Sequence, residues 1–116
     1  MKLLKKRKVA LALGGGAARG FANIGVLKVL EREHIPIDLI IGSSIGSFVG
    51  AAYSVGIPTY RMEEAALRFS VDTLTDFSLS RMSVLKGKKL EKIIHEFTDG
   101  KGFEDAEIPI AITTTD

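Results

Sequence analysis

Two short apolar runs, Val9–Leu13 and Ile37–Ile41, each break off into a turn of small residues, and each turn leads into a segment with helical spacing. Strand, tight turn and helix, twice in succession, is the pattern of a parallel sheet. Parallel neighbours must be joined by a crossover long enough to bring the chain back to the edge it started from. Val9-Ala10-Leu11-Ala12-Leu13 sits between a basic run and Gly14-Gly15-Gly16, and a strand this uniformly apolar is expected to be buried on both faces. Behind the first turn, Phe21–Glu33 is predicted as a helix. Ile24, Leu27 and Leu30 form its apolar stripe, while Lys28, Glu31 and Arg32 face water. Pro36 ends that pattern. Behind the second turn, Ile45, Phe48, Val49, Ala52 and Tyr53 recur at helical spacing until Gly56 and Pro58 stop the helix.

Met62, Ala65, Ala66 and Phe69 predict a third helix, and Leu90, Ile93, Ile94 and Phe97 a fourth. Ile108, Ile110 and Ile112 alternate with Pro109, Ala111 and Thr113 as a further strand. Between the last two helices, Val71–Leu85 has no period and is rich in Ser and Thr, which predicts a long surface loop. Its Leu74, Phe77, Leu79 and Met82 fit either a lid over a site or a satellite of the core. The plan is α/β with a mostly parallel central sheet. No helix follows the last strand to cover the sheet, so the domain is expected to be incomplete at its C-terminus.

A chain of 116 residues holds one domain, and its 46% apolar and 26% charged residues are ordinary globular composition. Much of the formal charge of +2 comes from Lys2, Lys5, Lys6, Arg7 and Lys8. Residues 1–8 read as a solvated basic tail, with peripheral contact to an anionic membrane as the alternative use and nucleic acid not expected as a partner. With no cysteine, disulfides and thiolate metal sites are excluded. The apolar stretch after the basic tail is shorter than the roughly 7–15 residues of a secretory signal. Ile35–Ile57 is apolar, yet Asp38, its prolines and its glycines break it as a membrane span. The expectation is a soluble, cytoplasmic protein.

Gly42-Ser43-Ser44-Ile45-Gly46 has the spacing G-x-S-x-G and falls between a predicted strand and a predicted helix. A serine at the tip of so sharp a turn takes a strained backbone conformation. Its neighbours two residues away on either side then approach too closely for a Cβ, which explains both glycines. The helix that follows directs its N-terminus at the serine, where it favours negative charge. Gly14-Gly15-Gly16-Ala17-Ala18-Arg19-Gly20 is the second such turn. Glycine-rich backbone leaves N–H groups pointing into a shared concavity, suited either to a phosphate or to the oxyanion of a tetrahedral intermediate. Arg19 stands where the third glycine of G-x-G-x-x-G falls, and no Gly-Lys-Ser/Thr follows. The oxyanion reading gains from the serine turn on the next strand, because adjacent parallel strands bring both turns to one edge of the sheet.

These residues, with Gly25-Val26-Leu27-Lys28-Val29-Leu30-Glu31, Ile37-Asp38-Leu39-Ile40-Ile41, Leu85-Lys86-Gly87 and Ile108-Pro109-Ile110-Ala111-Ile112, resemble the patatin-like phospholipases from residue 8 onward. The resemblance implies a three-layer α/β/α sandwich, with residues 9–116 as the N-terminal part of a catalytic domain. The implied activity is hydrolysis of acyl esters, usually of lipids, by a Ser-Asp dyad without histidine. Ser44 is then the nucleophile, and Gly14, Gly15 and Gly16 hold the oxyanion. Gly42 and Gly46 form the elbow. Arg19 takes the family's arginine position, with bracing the loop, meeting a phosphate head group or making a salt bridge at a helix start as its possible roles. No metal or organic cofactor is implied. Asn23 stands where many bacterial members carry a His that is not the base, and Ser43 replaces a frequent Thr.

The family's catalytic aspartate lies in an Asp-Gly-Gly or Asp-Gly-Ala sequence after the last strand read here, so it is expected beyond residue 116. Asp99-Gly100 precedes that strand and reads as a turn. Asp116 corresponds to an aspartate that is not the base, and His34 and His95 read as surface residues. Two other functions compete. One is a non-catalytic relative that binds lipid or a protein partner through residues 74–85. The other is a nucleotide-binding protein, which lacks an acidic residue after the second strand to meet a ribose.

Overall fold

The computed structural model describes residues 7–15, 17–68 and 84–114. Three strands, β1 (Ala10–Leu13), β2 (Leu39–Gly42) and β3 (Ile110–Ile112), form a parallel sheet in the order β1-β2-β3. Helix α1 (Ala22–Arg32) joins β1 to β2. Helices α2 (Ile45–Ser54), α3 (Thr59–Arg68) and α4 (Val84–Phe97) lie between β2 and β3. The α/β architecture expected from the alternation of apolar runs and helical spacing is therefore present. The expected loop at 71–85 falls outside the described residues up to position 83.

The register pairs Leu13 with Gly42, and Gly42 with Ile112. All three strands thus end at the same edge, and both small-residue turns leave from it. The opposite end is pinned by a side chain. Asp38 Oδ2 accepts from the Val9 amide at 2.7 Å, while the Asp38 amide donates to the Val9 carbonyl at 2.8 Å. This double bond between neighbouring strand starts holds the register before the ladder proper begins.

Helix α2 packs against all three strands. The core it closes contains Leu13, Ile40, Val49 and Ala52, joined by Leu27, Val55, Ile57, Met62 and Phe97 from the surrounding elements. Leu27 and Ile40 are completely buried. A side chain of that kind contributes about 1.5–3 kcal/mol when taken wholly out of water. Phe21 and Phe97 place their ring centroids 6.4 Å apart and so tie the start of α1 to the end of α4.

Burial of β1 on both faces is not observed. Leu11, Leu13, Ile40, Ile110 and Ile112 face the helices, whereas Ala10, Ala12, Ile41 and Ala111 are exposed. The physical reason is handedness. Successive right-handed crossovers that advance in one direction across a sheet place their helices on the same side. Among the described residues no element covers the other side, so two of the three expected layers are seen. The fourth helix also starts earlier than its stripe from Leu90 implies, at Val84. No helix among the described residues is long and apolar enough to cross a membrane.

Candidate active site

Ser44 lies directly between the end of β2 and the first residue of α2, and its backbone has φ 54° and ψ −128°. This is the mirror image of the extended region, which glycine visits freely and a residue with a Cβ does not. A serine at the start of a helix ordinarily takes extended backbone and turns its hydroxyl back onto a helix amide. Ser44 does not: its side chain makes no capping hydrogen bond, and the residue is exposed. The capping contact is made by the backbone instead, with the Ser47 amide donating to the Ser44 carbonyl at 2.8 Å. The hydroxyl is left uncommitted at the mouth of the turn.

The two flanking glycines are required by close approach. A methyl group on Gly42 would lie 2.7 Å from Ser47 Cα, and one on Gly46 would lie 2.2 Å from the carbonyl oxygen of Leu13. Both obstacles are main chain and have no rotamer to escape into. Gly46 thus lets the first turn of α2 rest on the end of β1, which holds the two turns against each other. The Ser43 amide donates to the Leu13 carbonyl at 3.1 Å across the same junction, and the Thr113 amide donates to the Gly42 carbonyl at 3.0 Å from the other side.

The glycine turn meets the serine. A methyl group on Gly15 would stand 2.6 Å from Ser44 Cβ and 3.2 Å from Ser44 Oγ. Gly14 and Gly15 are both exposed, so the space in front of them is open to solvent. At the far end of the loop, a methyl group on Gly20 would fall 2.5 Å from Ile45 Cβ. The loop therefore closes down on the first residue of α2 at one end and on Ser44 at the other. Of the residues singled out from the sequence, Ser44, Gly14, Gly15, Gly42 and Gly46 come together here. Gly16 lies outside the described residues. Arg19 sits exposed in a short 3-10 turn, Ala17–Phe21, and among the described residues it has no ion-pair partner.

In the sequence, Asn23 stands out only as a departure from the family's pattern, a reading that misses what it does. Asn23, in the first turn of α1, donates from Nδ2 to the Gly14 carbonyl at 2.9 Å and to the Gly20 carbonyl at 2.8 Å. It spans the glycine loop from one end to the other. The available signal was a polar side chain in the opening turn of an otherwise apolar helix face, directly behind a glycine-rich turn.

The remaining titratable candidates stand elsewhere. Asp99 is in a turn with φ 53°, followed by Gly100 at φ 71°. Both its oxygens accept from Arg61, at 2.7 Å each, and this holds the carboxyl below its ordinary range. Arg61 is in the first turns of α3, and Lys101 Nζ donates to the Val55 carbonyl at the end of α2. Asp99 is therefore anchored near the C-terminal end of α2, a helix of 10 residues and so roughly 15 Å long, whereas Ser44 is at the opposite end. His34, at φ 55°, follows the C-terminal end of α1 and is exposed. His95 is exposed on α4 with its ring beside Gly100. Among the described residues, no group of three or more His, Cys, Asp and Glu is placed to hold a metal ion.

What the arrangement offers is an accessible hydroxyl on strained backbone, backed by a helix N-terminus and closely approached by Gly15. Comparison with known proteins bears on it directly. The family model for patatin-like phospholipase matches residues 11–116. Patatin-like phospholipase domain-containing protein 6 of Mus musculus is 36% identical over 121 residues, covering 99% of this chain and 9% of that protein. Lysophospholipase nte1 of Aspergillus niger is 41% identical over 110 residues, covering 88% of this chain and 7% of that protein. The stretch shared with lysophospholipase nte1 of Aspergillus oryzae is 52% identical over 64 residues, which is 55% of this chain and 4% of that protein. The chain thus spans less than a tenth of the length of these relatives.

Proposed function

Since the chain belongs to the patatin-like phospholipase family, we propose that it carries the nucleophile half of a lipid acyl hydrolase, with Ser44 attacking the ester carbonyl. The observation that carries this reading is the backbone at Ser44. A strained φ of 54° is combined with a hydroxyl that caps nothing and faces Gly15. A fold pays for such strain where presentation of the side chain matters.

In this mechanism Ser44 Oγ gives its proton to an aspartate expected beyond residue 116 and adds to the acyl carbonyl. The carbonyl oxygen becomes an oxyanion, which the amides of Gly14, Gly15 and Gly16 and the N-terminus of α2 stabilise. Collapse of the tetrahedral intermediate expels the alcohol with the returned proton and leaves Ser44 acylated. Water then attacks the acyl-enzyme, releases the fatty acid and restores the hydroxyl. Asp99 takes no part, because Arg61 engages both its oxygens at the far end of α2.

The relatives named as lysophospholipases point to a single-chain phospholipid as the substrate to try first. Arg19, exposed in the 3-10 turn that follows the glycines, is the candidate contact for the phosphate of a lipid headgroup. No cofactor is needed, as the chemistry uses only side-chain and backbone groups. The test is hydrolysis of a lysophospholipid and of a short-chain aryl ester by the full-length protein. Ser44→Ala is expected to remove turnover of both. Turnover that persists in that variant rejects Ser44 as the nucleophile, whereas an unmutated protein that turns over neither substrate favours a relative that binds lipid or a protein partner without cleaving.

A further inference from the structure

We infer that Asn23 is a positioning residue for the oxyanion site: its side-chain amide straps the glycine loop and thereby aims the Gly15 N–H. The inference rests on the reading of Ser44 as nucleophile and assigns a role to a residue that touches neither substrate nor hydroxyl.

The argument starts from the two acceptors. The carbonyls of Gly14 and Gly20 can only accept, so the group 2.9 and 2.8 Å from them must be the NH2 of the Asn23 side chain. One amide nitrogen has two hydrogens, and both are used. The Gly14 carbonyl shares a rigid trans peptide plane with the N–H of Gly15, and the two groups point in opposite directions across it. Holding the carbonyl on the Asn23 side therefore turns the Gly15 N–H away from α1. Gly15 is also the residue that stands against Ser44, where an added methyl group would come within 3.2 Å of Oγ. The strap thus fixes the plane of the one described loop peptide that borders the hydroxyl.

Glycine-rich backbone needs such help. Its residues lose more conformational freedom on ordering than any others, and an oxyanion donor is effective only if it is already aimed when charge develops. The second bond, to Gly20, anchors the far end of the loop where it rests on Ile45. Both ends are then referred to the same turn of α1. A side chain with no donor, such as aspartate, would place acceptors against both carbonyls and push them away. Leucine would leave both without a partner at this point, and serine, with one hydroxyl hydrogen, could serve at most one of them.

The experiment uses the full-length protein with Asn23→Asp, Asn23→Leu and Asn23→Ser, reading kcat and KM on a lysophospholipid together with the rate at which a fluorophosphonate labels Ser44. Deleting an oxyanion donor outright lowers kcat by about 10²–10³-fold. Mis-aiming one is expected to lower kcat about 10–100-fold here, with KM within about twofold and labelling slowed in proportion. Variants that melt with the wild type and keep its kcat, or raise KM alone, overturn the assignment. If Asn23→Asp does not fold, Asn23→Ser, which adds neither bulk nor charge, is judged in the same terms. A wild-type enzyme that resists labelling at Ser44, or a Ser44→Ala variant that still turns over, overturns both this inference and the reading beneath it. A labelled, Ser44-dependent enzyme with unmoved Asn23 variants overturns this inference alone.

Discussion

Replacing Ser44 by glycine should make the protein more stable than replacing it by alanine, although both changes remove the same hydroxyl. The two variants differ in one respect only, the presence of a Cβ at φ 54° and ψ −128°. A residue with a side chain held in so sparsely populated a region carries about 1–3 kcal/mol of strain. Alanine keeps that strain and glycine releases it. Against this, glycine adds conformational freedom to the unfolded chain, which costs about 0.5–1 kcal/mol. Little else changes. Ser44 is exposed, so no burial is lost, and its hydroxyl caps no helix amide that would be left unsatisfied. The balance favours Ser44→Gly over Ser44→Ala by about 1 kcal/mol at the middle of the same strain and entropy ranges. Urea unfolding of both variants reads this as a higher midpoint at unchanged slope for the glycine protein. An alanine variant as stable as the glycine one, or more so, would refute the claim that the turn is strained, and with it the reason for regarding Ser44 as a presented nucleophile.

Gly46→Ala is expected to destabilise by about 3 kcal/mol or more, at or beyond the upper end of overpacking costs, because its methyl would sit 2.2 Å from the Leu13 carbonyl oxygen and both obstructing groups are main chain. Gly25→Ala, with nothing within 4 Å of its methyl and a place inside α1, should instead stabilise by about 0.5–1 kcal/mol; melting temperatures moving the same way in both would contradict the packing described. On the acid side, Arg61 favours the ionised form of Asp99 in the folded state, so that pair's contribution is in place above about pH 4 and is lost as pH falls through the lowered folded value. Asp99→Asn should flatten the dependence of melting temperature on pH in that window while leaving ester hydrolysis per folded molecule unchanged.

Much of this site was legible because its parts are glycines and a serine at strand ends, where small residues have few other reasons to cluster. The same pattern placed both turns at one sheet edge through the rule that adjacent parallel strands point the same way, and the register of Leu13 with Gly42 agrees. Strand limits were less legible: Ile108 and Pro109 continue the alternation of β3 but precede the ladder, which starts at Ile110. The exposed face of Ala10, Ala12, Ile41 and Ala111 could not be read from apolarity, since alanine and isoleucine are equally at home on either side of a strand until the crossover helices are placed. Asn23 and the Arg61–Asp99 pair were hidden for another reason. Both depend on side chains meeting carbonyls or charges brought close only by the fold, in the second case across 38 positions of sequence.

The central claim is that the hydroxyl on the strained turn is the reactive one. Peptide mapping by mass spectrometry after treating the full-length protein with a fluorophosphonate addresses it directly. The account predicts a single phosphonylated peptide carrying the adduct on Ser44, absent from Ser44→Ala and slowed in Asn23→Asp. An adduct on any other serine, or none on a protein that hydrolyses lipid esters, would contradict it.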